Sequence, residues 1–232
     1  MTRKRIVSLL AIFLIIAEAA LFVLIQLTDG SVYEWLAFSS VGLALGFALT
    51  TMLLGTGGVL LRLGLFLTLA ADYFLILAEP VNEEVGVAVF SLVQLTYFVA
   101  LMLKQNSTKE RVIHISARLA LIALMLLVLI IVLGAKVDLL SILSAFYYAN
   151  LLINIVFSFI RMPYGLLFSI GLMLLALCDL FLGLGYLGSA YLGSAEGSFL
   201  WWISHSSLNI PWLFYVPSCA LISLSTVRNS CK

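Results

Sequence analysis

Charge is what this chain has least of. Only 10% of its 232 residues are Asp, Glu, Lys or Arg, against roughly 25% in a soluble domain, and a net charge of +1 offers nothing to a nucleic acid. With a mean hydropathy of +1.21, a soluble globular protein is excluded and a polytopic membrane protein is expected. Cysteine and histidine are scarce too. Cys178, Cys219 and Cys231 are too few and too scattered for a disulfide framework or a zinc site, and they read as inert thiols. His114, beside a cytoplasmic helix start, and His205, in an outer loop, are expected on opposite membrane faces, which argues against a zinc-dependent membrane hydrolase. There is no GxSxG elbow and no glycine-rich phosphate loop; GTGG at 55–58 reads as a tight cytoplasmic turn. No metal and no organic cofactor are expected.

What is present is long apolar runs. A span needs about 20 apolar residues, and breaks at charge, Gly or Pro clusters separate eight candidates, at roughly 6–27, 32–54, 59–79, 85–103, 117–134, 139–160, 164–187 and 208–227. The basic start MTRKR resembles a signal peptide, but its apolar run of about 22 residues is too long for one, so it is taken as the first span. With the N-terminus cytoplasmic, eleven of the twelve Lys and Arg residues fall at cytoplasmic ends, Arg62 and Arg118 among them, and Lys136 alone lies outside. The expected fold is therefore an all-α bundle of about eight transmembrane helices, a single membrane domain over 1–232 with both termini cytoplasmic. The Gly- and Ser-rich segment 188–207 reads as an outer loop resting in the interface.

Two of the runs carry the same costly residue. Displaced by 107 residues, GLFLTLAADYFLIL (64–77) aligns with GLMLLALCDLFLGL (171–184), pairing Gly64 with Gly171, Asp72 with Asp179 and Phe74 with Phe181. The match predicts two parallel four-helix repeats, about 1–112 and 113–232. At 1.5 Å per residue, Asp72 lies about 20 Å and Asp179 about 23 Å from the cytoplasmic ends of their helices, so they share a level, and Glu18 and Gln94 come close to it. Each central Asp costs about 2.5–3.5 kcal/mol to insert, and an intramembrane ionisable residue defaults to a functional reading. Spans three and seven are thus expected near the bundle axis with Asp72 and Asp179 facing one cavity. Gln94 and Tyr97 share a face of span four; Tyr147, Asn150 and Asn154 follow one face of span six at i, i+3 and i+7 and are expected to line the cavity.

With eight spans, GLFLTLAADYFLIL in the third, VFSLVQLTYFVAL in the fourth and GLMLLALCDLFLGL in the seventh, the chain resembles the lysoplasmalogenase, or YhhN-like, family. The resemblance implies hydrolysis of the vinyl-ether bond of lysoplasmalogens, with Asp72 and Asp179 as the catalytic pair and a lysophospholipid as substrate. The chain has Ala71 and Cys178 where the family pattern has glycine or serine, Gln94 where a histidine is common, and YVPSC at 215–219 where Tyr-Ala-Gln is usual. Vinyl ethers hydrolyse by protonation at carbon and need one acid and one carboxylate, a division of labour that paired carboxyls provide. Asp179, in the more apolar setting, is assigned the acid. The alternatives are a small proton-coupled transporter or lipid-binding membrane protein, in which Asp72, Asp179 and Glu18 carry protons or bind a cation, and an inactive member of the fold.

Overall fold

A computed structural model describes residues 2–28, 30–54, 58–105, 107–187, 199 and 209–228. Among them are eight helices long and apolar enough to cross a membrane, and no strand. They are α1 (Arg3–Leu27), α2 (Gly30–Leu53), α3 (Val59–Asp72), α4 (Glu83–Met102), α5 (Thr108–Leu133), α6 (Leu139–Arg161), α7 (Leu166–Leu187) and α8 (Ile210–Arg228). The chain is an all-α integral membrane protein, as its apolar runs require, because in lipid a helix satisfies its backbone polar groups internally. The segment 188–207 with His205, most of the GTGG turn, Asp29, Glu196 and Cys231 fall outside the described residues, Phe199 excepted.

Six helices begin and end within about three residues of their expected limits, and so does the third span once the π-helical turn Tyr73–Leu77 that continues α3 is included. The fifth does not. It begins at Thr108, nine residues before the expected 117, because hydropathy discounts TKERVIHISAR although these residues are compatible with a helix preceded by Ser107. Arg118 therefore stands ten residues inside α5, about 15 Å along its axis, and not at a cytoplasmic end. His114, expected beside a helix start, is likewise buried inside α5.

Local chemistry sets several ends. Asn82 Oδ1 accepts from the Val85 amide at 3.0 Å and Asp138 Oδ1 from the Ser141 amide at 2.8 Å, capping α4 and α6. Arg62, in the first turn of α3, is also buried and donates from Nε to the Ala48 carbonyl of α2 at 2.7 Å.

α8 is the central element, packed on α1, α2, α3 and α7, while α4 joins α3 to α6, and α5 lies at the periphery against α6. The buried side chains of α5 are His114, Arg118 and Leu133, whereas Leu119, Leu127 and Ile131 are among many that face outward. α3 and α7 both pack on α8, which gives the two aspartate helices a common partner. Gly64 and Gly171, paired by the internal alignment, each admit a neighbouring helix closely. A Cβ on Gly64 would stand 2.1 Å from Tyr97 Cε1 of α4, and one on Gly171 would stand 2.7 Å from Ile222 Cγ1 and 3.2 Å from the Ser218 carbonyl of α8.

Gly64→Ala is expected to cost about 1–3 kcal/mol, because the rigid Tyr97 ring must move out of a packed contact. Gly183→Ala, with nothing within 4 Å of the added carbon, is the matched control and should unfold like the parent. Thermal unfolding of the two purified variants in detergent measures the difference, and equal midpoints would refute the packing argument.

Candidate functional site

Asp72 is the last residue of α3 before the helix changes register. Tyr73–Leu77 form a π-helical turn, with the Ala78 amide reaching back five residues to the Tyr73 carbonyl at 2.8 Å. Such turns recur at functional sites because the wider turn re-aims side chains. On the facing helix, Pro217 cannot donate to the carbonyl one turn earlier and loosens the stretch of α8 that carries Tyr215. The Tyr215 hydroxyl donates to Asp72 Oδ2 at 2.6 Å. The arrangement repeats with other helices: the Tyr147 hydroxyl of α6 donates to Asp179 Oδ2 of α7 at 2.5 Å.

Each aspartate is thus held by one phenol from a different helix, and the two carboxyls lie within electrostatic reach of one another. Cys178 and Cys219, both free and buried, lie near both carboxyls. Asp72 is only 3% exposed, while Asp179 is partly buried. Local sequence neighbours do not report which helices cover a side chain, and by solvent exposure Asp72 is the more enclosed of the two.

The other candidates divide. Glu18 is buried beside Cys219 at the edge of this centre; it accepts from Ser40 Oγ at 2.6 Å through Oε2, and Oε1 has no partner. Tyr97 packs edge-on against Phe168, and its hydroxyl, beside Thr68, makes no well-formed hydrogen bond. Gln94, Asn150 and Asn154 leave the carboxyls for a second cluster, around Arg118. Arg118 Nη1 donates to Asn150 Oδ1, and Nη2 to Asn154 Oδ1 at 2.6 Å. Asn154 Nδ2 in turn donates to the Gln94 carbonyl at 2.8 Å and to Gln94 Oε1 at 3.0 Å. The guanidinium lies 4.1 Å from the centre of the Phe98 ring, and His114 stacks on Phe157 while its Nδ1 meets Gln105 at 2.9 Å.

Tyr215, noted only as the start of YVPSC, and Arg118, taken as a cytoplasmic-end residue, were not among the candidate site residues. Tyr215 left a signal in its proximity to Pro217 inside an apolar span; Arg118 was concealed by the misplaced start of α5. Among the described residues no group of three or more His, Cys, Asp or Glu side chains is arranged to hold a metal. No protein-family model, curated protein or solved structure matches the chain.

Removing the phenol from Tyr215→Phe leaves Asp72 Oδ2 without its donor inside the protein, at an expected cost of about 1–3 kcal/mol. Tyr147→Phe should cost less, because Asp179 is less enclosed. Chemical unfolding of both variants reads the order, and a larger loss in Tyr147→Phe would contradict it.

Proposed function

We propose that this chain is a membrane-embedded lipid hydrolase of lysoplasmalogenase type, acting on a vinyl-ether bond through Asp72 and Asp179. The observation that supports the reading is the pair of intramembrane aspartates on two helices that both pack on α8, each bonded to a tyrosine and within electrostatic reach of the other. One carboxyl gives its proton to the β-carbon of the vinyl ether, and the α-carbon and ether oxygen share the resulting positive charge. The other carboxylate stabilises that cation and takes a proton from the water that adds to the α-carbon. The hemiacetal then breaks its carbon–oxygen bond: the second carboxyl returns its proton to the leaving glycerol oxygen while the first, now a carboxylate, takes the hydroxyl proton, which releases a fatty aldehyde and a glycerophospho-headgroup and restores both groups. The phenols hold each carboxyl in one orientation, and exclusion of bulk water strengthens the charge stabilisation. Gln94, engaged with Asn154, takes no proton-carrying part.

A second reading, proton-coupled transport, is favoured by one feature: α3 and α8 are both irregular beside Asp72, at the π-helical turn and at Pro217, and interrupted helices beside a carboxyl suit a transported ion. Transport yields flux in sealed vesicles with no chemical change.

Incubating the purified protein with lysolipids bearing vinyl-ether, alkyl-ether and acyl linkages, followed by mass spectrometry, distinguishes these readings. Aldehyde is expected from the vinyl ether alone. Asp72→Asn and Asp179→Asn should each remain folded, since the amide keeps an acceptor for the tyrosine. Each should lower turnover about a hundred- to ten-thousandfold, and the double variant little further, as groups acting as one unit do. Full activity in either single variant would sink the two-carboxyl mechanism.

We infer also that both termini are cytoplasmic, from the side of the bundle on which most Lys and Arg residues fall. Cysteines introduced one at a time at 104–111 should resist a membrane-impermeant thiol reagent in intact cells and react after permeabilisation; labelling of intact cells would overturn it.

A further inference from the structure

Among the described residues, no carboxylate meets the Arg118 cation. It is 5% exposed, and the groups that meet it are Asn150, Asn154, His114 and the Phe98 ring, with no carboxylate among them. Its Nε is buried without a partner, and so is Nε2 of Gln94 on the far side of Asn154. Gln105 Oε1, on the other side of His114, is an unpartnered acceptor nearby; it offsets one donor but not the full positive charge, and an uncompensated ion inside a membrane span is costly. An oxyanion supplies both missing items, a negative charge and acceptor atoms, and a guanidinium flanked by amides is suited to a phosphate.

Placement narrows the ligand. Asn150 and Asn154 lie on the face of α6 that also carries Tyr147, the partner of Asp179, so the cation and the carboxyl centre are separated by one to two helical turns. A glycerol unit bridges a comparable span between the phosphate and the chain-bearing oxygen of a lysophospholipid. α5 offers little apolar resistance to movement, since only His114, Arg118 and Leu133 of its side chains are buried.

We infer that Arg118, Asn150, Asn154 and Gln94 form a binding site for the phosphate of a lysophospholipid whose chain-bearing oxygen lies at the aspartates. The lipid identity rests on the hydrolase reading; the anion site does not.

The test is thermal unfolding of the full chain in neutral detergent with an acyl lysophosphatidic acid, the monoacylglycerol of the same chain, or inorganic phosphate. The lysophosphatidic acid should raise the wild-type midpoint by several degrees, and the monoacylglycerol should not. Arg118→Gln should weaken that lipid about tenfold or more. Gln94→Glu, which supplies an internal carboxylate, should raise the unliganded midpoint and abolish the response, and it carries the test if Arg118→Gln does not fold. An equal response in wild type and Gln94→Glu, or an equal effect of the monoacylglycerol, would overturn the site. Inorganic phosphate acting as strongly as the lysolipid would overturn the headgroup assignment. Phosphate-dependent stabilisation without cleavage of any vinyl ether leaves the anion site standing while the hydrolase reading fails.

Discussion

A carboxyl inside a bilayer can discharge its polarity only onto another side chain, and this bundle is organised by that demand. Asp72 reaches Tyr215, Asp179 reaches Tyr147, Glu18 reaches Ser40 and Arg118 reaches two asparagines. In every case the partner comes from a different helix. Apolar packing alone discriminates weakly between helices in lipid, where the surroundings are as greasy as the interface. The polar pairs therefore specify which helix lies beside which, and the close contacts at Gly64 and Gly171 bring the backbones near enough for short side chains to meet.

The position of α8 follows from the same requirement. It carries Tyr215 to α3, sends the Ser223 hydroxyl to the Ala44 carbonyl of α2 at 2.6 Å, and is tied to the end of α1 where Gln26 exchanges two hydrogen bonds with the backbone of Asn209. Its apolar side chains pack mostly against protein, whereas α1 and α5 present most of theirs outward. A sequence of comparable hydropathy thus serves as a core in one helix and as a lipid-facing surface in another, according to where the polar groups draw it.

Much of this was legible in the chain. Eight spans follow from run lengths, since apolar stretches of about 20 residues admit few alternatives. The aspartates stood out because each is costly in its setting. Partnership was not legible: Tyr215 and Asp72 are 143 residues apart, and no periodicity links them. The polar face of α6 was found by its i, i+3, i+7 spacing, but periodicity gives direction without distance, so Asn150 and Asn154 were expected with the aspartates and lie instead with Arg118. That error had one source, the start of α5, where hydropathy ends a span at the last charge and the backbone continues through it. The aligned Gly64 and Gly171 both sit at close helix approaches, yet the tyrosines that serve the two aspartates come from α8 and α6, positions that the alignment does not pair.

The dependence of Asp72 on Tyr215 also sets an order of assembly. Chains enter a membrane from their N-terminus as they are made. Arg118 meets its asparagines within 36 residues, so α5 and α6 can enter as a hairpin with that cation already solvated. Asp179 finds Tyr147 already synthesised. Asp72 alone must wait through five further helices for its phenol. Until α8 leaves the ribosome, the nascent protein carries an unsatisfied acid in α3, so that α3 reaches its final setting only when α8 joins it.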